Sequence, residues 1–370
     1  MNNNEPVFIN YQKELIWFDE YDESSIPSEE DRLYHISEDN PDNPFNNFIG
    51  NENAIKRLKR AAFVALERYN RCCNDQYFAL LGPASTGKTT IAKKFAQLLD
   101  LPFVEIVPKS IKKINDILFK IAQTCEQTSG LLNESYEYTL ELVALPGQRF
   151  CLPPMIVFID EVHSLSDSIV QGLLKATEIK DRMFVTESGW TVDCQNVCWI
   201  IATTDRGKLF DAFDTRFTKI NLNSYTKQEI SKIVNVNYVD WPESVCDLVA
   251  KYSSGTSREA LAFAKEVYLE YKMNPRNLID IAHQVAEENE IDEFGMSKQR
   301  LHILSVLKEH KNVPKNRLSQ MISCKEEELE KFIIPSLIIS TADSKPLIKI
   351  DNKGYSITEE GMSELLKRGL

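Results

Sequence analysis

What this chain of 370 residues does not contain narrows it first. No uninterrupted apolar run approaches the roughly 20 residues that a membrane-spanning helix needs, so the sequence offers no candidate span. The opening MNNNEPVFINYQKELIWFDE lacks the basic start and apolar centre of a secretory signal, and the expected location is cytoplasmic. Histidines number only 5, and the 8 cysteines, at positions 72, 73, 125, 151, 194, 198, 246 and 324, form no paired C-x-x-C elements. A tetrahedral zinc site needs its ligands in such short-spaced pairs, so none is assigned to a metal. The thiols are expected to be reduced and mostly buried. Positive charge is in deficit, with 43 Lys and Arg against 55 Asp and Glu and a net charge of −12. That balance excludes a protein that coats nucleic acid with its whole surface, but leaves room for a local basic contact. No internal repeat or low-complexity tract is present. The apolar content of 43% and the length suffice for two or three domains with full hydrophobic cores.

Two segments carry recognisable chemistry. Residues 80–90 read LLGPASTGKTT, and residues 155–163 read MIVFIDEVH. Gly82, Gly87, Lys88 and Thr89 fit G-x-x-x-x-G-K-[ST], in which glycines let successive backbone N–H groups turn toward a phosphate and the lysine reaches its outer oxygens. The preceding YFALL reads as a strand and the following IAKKFAQLL as a helix, whose N-terminal N–H groups and dipole add to the anion site. Thr90 completes the expected cofactor-binding set. In the second segment the apolar run Ile156 to Ile159 predicts a strand buried on both faces, which delivers Asp160 and Glu161 at its carboxyl end, where open α/β sheets bind ligands. An aspartate there can hold Mg2+ through water with Thr89 as a hydroxyl ligand, while the neighbouring glutamate polarises an attacking water. Hydrolysis of ATP with Mg2+ is the expectation, and His163 reads as an orienting or packing group.

Along the chain, an acidic stretch comes first: Glu14, Asp19, Glu20, Asp22, Glu23, Glu29, Glu30, Asp31, Glu38, Asp39 and Asp42 face few basic residues. Residues 1–43 are read as an extension that is either disordered or a docking arm, with the basic helix at Lys56, Arg57, Lys59 and Arg60 as a surface it could cover. Residues 44–225 then alternate strand and helix, through FALLG, FVEIV, IVFID and VCWIIATT, and predict an α/β core with a mainly parallel sheet covered on both faces. RMFVTESGWTVDC, near 182–194, reads as an inserted β-hairpin turning at Ser188-Gly189. Residues 226–292 are helical throughout and predict a small all-α lid. Residues 293–370 predict three helices and a terminal hairpin that turns at Asn352-Lys353-Gly354, the winged-helix arrangement.

Further residues have individual readings. Thr204 lies at the tip of the strand beside the acidic one, where a hydroxyl can orient the attacking water or read the γ-phosphate. Arg216 stands later, placed either to reach the nucleotide of a neighbouring subunit or only to cap a helix. Arg258 falls in the first turn of a lid helix, within reach of nucleotide phosphates, and Tyr225, at the junction of core and lid, can lie against adenine.

Taken in order, these segments resemble the AAA+ ATPases and, among them, the RuvB family of motors that drive Holliday-junction branch migration in bacteria. FNNFIG looks like that family's first segment, LLGPASTGKTT its phosphate loop, FIDEVH its FIDEIH, IATTDRGKLFDAFDTRF its GATTR and D-R-F segments, and SSGTSREALAF its G-T-P-R-I-A-N segment. The resemblance implies an AAA+ P-loop core with an all-α lid and a C-terminal winged helix. It also implies phosphate and metal binding by Lys88 and Thr89, metal and water handling by Asp160 and Glu161, sensor roles for Thr204 and Arg258, and action in trans by Arg216. A trans arginine implies a ring, expected as a hexamer, acting on branched or duplex DNA with a RuvA-like junction-binding partner on the projecting hairpin. The departures are specific. The family's R-T-P-R-G-R wing is represented by Ile350 to Tyr355, leaving Lys349 and Lys353 as the nucleic-acid-binding candidates. With fewer cations to meet phosphates there, DNA binding is expected to be weaker. An extra stretch also lies between Ile114 and Leu152.

Three functions follow from this reading: an ATP-driven translocase on branched DNA, a clamp-loader or replication-initiator ATPase, and an ATP-gated adaptor that binds proteins. The strand-forming tail speaks against the all-helical collar of a clamp loader.

Overall fold

The computed structural model describes residues 27–68, 76–128, 149–178, 180–185, 191–205, 207, 213, 215–339 and 345–370. Cys72, Cys73 and the Ser188-Gly189 turn lie outside these residues. So do residues 1–26, which hold five of the eleven acidic residues of the stretch, and residues 129–148, which hold most of the extra stretch. The chain divides into two compact units. The first comprises Met1–Asn47, Asn51–Gly82 and Gly87–Leu222; the second comprises Phe48–Gly50, Pro83–Thr86 and Asn223–Leu370.

In the first unit, β1 (Tyr77–Leu81), β2 (Phe103–Ile106), β4 (Met155–Ile159), β7 (Val197–Thr203) and β8 (Phe217–Asn221) form one sheet in the order β2-β4-β7-β1-β8. Every pairing in it is parallel. The central strands β1, β4 and β7 are buried at every position, as unbroken apolar runs covered on both faces should be. Helices α2 (Glu52–Ala65) and α3 (Lys88–Leu99) pack together, and Phe95 of α3 meets Phe78 of β1 edge-on at 5.7 Å. Ile117, Leu118 and Ile121 of α4 (Ile114–Thr128), with Ile169 and Leu173 of α5 (Asp167–Ala176), join Ala79, Val157 and Trp199 in a separate buried cluster.

Sequence patterns missed three features of this unit. The edge strand β8 is buried only at Phe217 and Ile220, three positions apart, so its period of two is weak, and its Lys219 is exposed. The expected hairpin exists as β5 (Met183–Val185) antiparallel to β6 (Thr191–Asp193), but β6 also pairs in parallel with β3 (Arg149–Cys151). Phe184 and Val192 are buried in the core cluster, so the base of the hairpin is part of the unit's interior. The described half of the acidic extension is ordered by α1 (Glu29–Ile36), which opens with a capping box between Ser28 and Asp31. His35 Nε2 lies 2.7 Å from the carbonyl of Leu98, and Arg32 pairs with Glu67 while its guanidinium lies 4.6 Å from the ring centre of Phe63. This contact with α2 is carried by an arginine of the acidic helix.

In the second unit, α6 (Lys227–Asn237), α7 (Glu243–Tyr252), α8 (Ser257–Met273) and α9 (Leu278–Glu288) bury Ile230, Val234, Val249, Phe263, Val267, Ile281 and Val285. Side chains of Thr226, Thr256 and Asn277 cap three of the four helices. α10 (Lys298–Glu309), α11 (Lys315–Met321), α12 (Glu326–Glu328) and α13 (Ile334–Leu337) follow, with a π-helical turn, Leu329–Ile333, between the last two. Pro335 accounts for that turn, because it has no N–H to donate and its ring clashes with the carbonyl four residues earlier. β9 (Ile348–Asp351) and β10 (Gly354–Ile357) pair antiparallel, Val313 bridges Tyr355, and α14 (Glu359–Leu366) ends the fold. Arg300 donates to Glu259 at 3.1 Å, and Arg368 bonds both Asp292 and Glu364, so ion pairs join these helices to those before them. Cys194, Cys198 and Cys246 are buried free thiols and Cys324 is a partly exposed one. Among the described residues no helix is long and apolar enough to cross a membrane.

Candidate active site

The phosphate-loop motif begins where β1 ends. Gly82 N–H donates to the Thr203 carbonyl at 3.3 Å, and Leu222 N–H donates to the Leu81 carbonyl at 2.7 Å. A Cβ on Gly82 would lie 2.5 Å from the Leu222 carbonyl oxygen, so this close approach of backbones requires glycine. Ser85 (φ 62°) and Gly87 (φ 84°) both adopt left-handed backbone, which reverses the chain and directs it into α3. No side chain caps α3, so its first turn is the type of helix start that takes an anion. Lys88 is only 7% exposed, and its ammonium folds back to donate to the Gly82 carbonyl at 2.9 Å. Thr89 is half-buried and Thr90 is exposed.

Asp160 and Glu161 follow β4 directly. Burial pushes the Asp160 carboxyl above the usual carboxylate range, and the Glu161 charge adds to the rise; Lys88 and the Glu161 N–H, which donates to Asp160 Oδ1 at 3.0 Å, oppose it. A buried carboxylate with a second one beside it gains from a nearby cation, so the donor set fits a hydrated Mg2+. Glu161 has φ 46°, which turns its side chain out of the strand line. Both the N–H and the hydroxyl of Thr204 donate to Glu161 Oε2, each at 3.0 Å. His163 Nδ1 lies 3.3 Å from the same oxygen and 2.8 Å from the Thr203 hydroxyl. That hydroxyl accepts from the Asp205 N–H at 3.0 Å and gives its one hydrogen to the Asp205 carbonyl at 3.1 Å. Nδ1 is therefore the protonated ring nitrogen, with Thr203 and Glu161 as its acceptors.

Lys88, Asp160, Glu161 and Thr204 thus lie together in the first unit. Arg216, in the same unit, is half-buried and donates to the Leu174 carbonyl, with the Thr177 hydroxyl at 3.5 Å. This is the helix-capping contact, made at the C-terminal turn of α5. In the second unit, Tyr225 is 6% exposed in the helical cluster and its hydroxyl donates to the Thr86 carbonyl at 3.1 Å. Arg258 is exposed in the first turn of α8, and Lys349 and Lys353 are exposed on the β9–β10 hairpin. Two participants escaped the sequence reading. Thr203 was visible only as one of two adjacent threonines at a strand tip, and Ser257, whose hydroxyl donates to the Ser85 carbonyl at 2.9 Å, only as part of a helix start.

Residues 78–225 match the family model of the AAA proteins, the ATPase family associated with various cellular activities. A search among curated proteins finds no match by sequence. Among solved structures, the Thermotoga maritima RuvB Holliday junction branch migration motor is similar at TM-score 0.62 and 22% identity, over 86% of this chain and 95% of that one. A point variant of the same T. maritima RuvB gives TM-score 0.64 and 23% identity, over 88% of this chain and 98% of that one. At such identities the likeness is one of fold. With the phosphate loop and paired acids in place, residues 78–225 form an AAA ATPase domain that uses ATP and Mg2+, in a chain folded like RuvB.

Proposed function

We propose that this protein is an ATP-driven DNA translocase that acts on branched DNA, as a ring and most simply a hexamer, with a RuvA-like junction-binding partner. The observation that carries the reading is that the likeness to a branch-migration motor spans 86% of this chain, far beyond the ATPase domain. Val313, in a single antiparallel bridge to Tyr355, ties the β9–β10 hairpin to the segment between α10 and α11, which supports a winged-helix reading of residues 293–370, and the four packed helices α6 to α9 support a lid reading of 226–292.

In this reading Lys88 binds the β- and γ-phosphates of ATP, and the amides at the start of α3 add to the same anion site. Thr89 and, through water, Asp160 would hold Mg2+, whose charge would offset that of the phosphates. Glu161 takes the proton of the attacking water, and Thr204 fixes the carboxylate that does so. Arg216 acts in trans after leaving the α5 carbonyl, and Arg258 reads the phosphates from the lid.

A second reading, an ATP-gated protein-binding adaptor, has its own support. The helical segment that would enter a DNA groove begins with exposed Glu326, Glu327 and Glu328, and Lys315 is engaged by Glu330 at 2.8 Å. These charges repel phosphates, and on the hairpin Lys349 and Lys353 attract them.

Steady-state ATP hydrolysis without DNA, with linear duplex and with a four-way junction, each at two salt concentrations, separates the two. Junction stimulation that fades with salt is the translocase result. Turnover indifferent to every DNA overturns it in favour of the adaptor.

A further inference from the structure

A phosphate-binding loop works only if its amides face the anion, and each peptide plane can flip. Two hydroxyls of the second unit act on two consecutive planes. Ser257 Oγ donates to the Ser85 carbonyl at 2.9 Å, and Tyr225 Oη donates to the Thr86 carbonyl at 3.1 Å. In a trans peptide the C=O and the following N–H point in opposite directions. Bonds that hold the carbonyls of Ser85 and Thr86 toward these hydroxyls therefore hold the N–H groups of Thr86 and Gly87 on the opposite side of the loop.

The donors are themselves fixed. The Tyr225 ring is buried among Ile230, Val234 and their neighbours, and Gly50, at φ 74°, lets the backbone approach it so closely that a Cβ there would sit 3.0 Å from the ring. Ser257 opens α8 directly after its cap, Thr256, whose hydroxyl accepts from the Glu259 N–H at 3.2 Å. The loop also contains left-handed Ser85, a conformation that a non-glycine residue keeps only where its surroundings impose it.

We propose that Tyr225 and Ser257 are positioning residues that preset the amides of Thr86 and Gly87 for the phosphates of a nucleoside di- or triphosphate. The inference rests on the reading of Gly82 to Thr89 as the nucleotide-phosphate site. It gives Tyr225 a role at the phosphate end of the nucleotide, set by its hydroxyl, in place of one at the base. It also makes the lid's own side chains part of the loop's preorganisation, without any contribution from Arg258.

The test is calorimetric binding of ADP and of pyrophosphate, both with Mg2+, to full-length wild type, Tyr225→Phe and Ser257→Ala. Phenylalanine keeps the buried ring and alanine keeps the helix start, and a thermal melt of each variant reports on folding; if one fails to fold, the other carries the test. Each variant is expected to lose roughly 2- to 10-fold in affinity, the net worth of one hydrogen bond, by the same factor for ADP and for pyrophosphate. Unchanged affinities overturn the inference, and a loss for ADP alone overturns it in favour of a contact with the base. A wild type that binds neither ligand overturns the reading of the site and the inference together.

Discussion

Thr204 grips Glu161 twice: its backbone N–H and its hydroxyl both donate to Oε2 of the glutamate, each at 3.0 Å. The two residues follow adjacent strands, β4 and β7, which pair in parallel and so end on the same side of the sheet. Parallel register thus converts two separate motifs into one device, in which the strand tip that offers the hydroxyl also fixes the acid beside it. The bonded oxygen belongs to the residue proposed to accept the water's proton, so in that proposal Thr204 orients the acceptor.

Glu161→Gln should bind ATP with near-normal affinity and lose turnover by about 10²- to 10⁴-fold, the usual contribution of a general base. Thr204→Val removes the hydroxyl but leaves the N–H, so a smaller loss, on the order of tenfold, is expected in kcat with binding unchanged. Rapid-mix hydrolysis alongside equilibrium nucleotide binding checks both. Ordinary turnover in the glutamine variant would remove Glu161 from the mechanism.

Asp160 should make the nucleotide-free protein less stable at neutral pH. Its carboxyl titrates above the usual range in the fold because burial and Glu161 disfavour the charge, so the folded state binds the proton more tightly than the unfolded state. The stability this contributes is full below the unfolded pKa, about 3.9, and is lost as pH rises through the raised folded value. Asp160→Asn, which keeps the acceptor for the Glu161 N–H, should therefore raise Tm near pH 7 and give no advantage in acid. Thermal melts across pH without nucleotide test this; a gain independent of pH would mean that the charge is not the cause.

Thr203→Val should cost about 1–3 kcal/mol of stability, because the part-buried N–H and carbonyl of Asp205 both lose the hydroxyl that serves them, two hydrogen bonds in all. The same substitution frees His163 Nδ1 to bond Glu161 alone, so hydrolysis is expected to fall while nucleotide affinity holds. Urea unfolding and ATPase assays on one preparation report the two effects separately, and an unaltered midpoint would contradict the bond network.

Arg216→Ala is expected to lower ATPase activity by about 10³-fold or more if the residue stabilises transferred phosphoryl charge in trans. Mixing it with Lys88→Ala subunits should restore part of the activity, since some interfaces then pair an intact phosphate site with an intact arginine. A variant that keeps full turnover and only melts earlier would identify Arg216 as the cap of α5 and nothing more.

How much of this was legible depended on the range of each interaction. The phosphate-loop motif, the buried strand before Asp160 and the helices of residues 227–288 declare themselves in short windows, because each obeys a local rule of spacing or period. The tail hairpin was readable from Asn352 to Gly354 for the same reason. β8 was not, since an edge strand needs only half of its residues apolar, and β3 was not, since Arg149–Cys151 becomes a strand only through pairing with Thr191–Asp193. The described part of the acidic extension reads from sequence as either disordered or a docking arm. Its order comes from Arg32 against Phe63 and His35 against Leu98, interactions that charge counting does not weigh.

The sequence by itself determined the chemistry: a lysine and glycines for a phosphate, two acids at a strand end, a threonine beside them. Tertiary structure decided what holds those groups. It turned Arg216 onto the α5 carbonyl, buried the Tyr225 ring and aimed its hydroxyl at the loop, and brought Ser257 to Ser85 across 172 residues of chain. The physical reason is that motif spacing encodes which atoms can react, while hydrogen bonds between distant segments exist only after the cores on either side of the chain have packed.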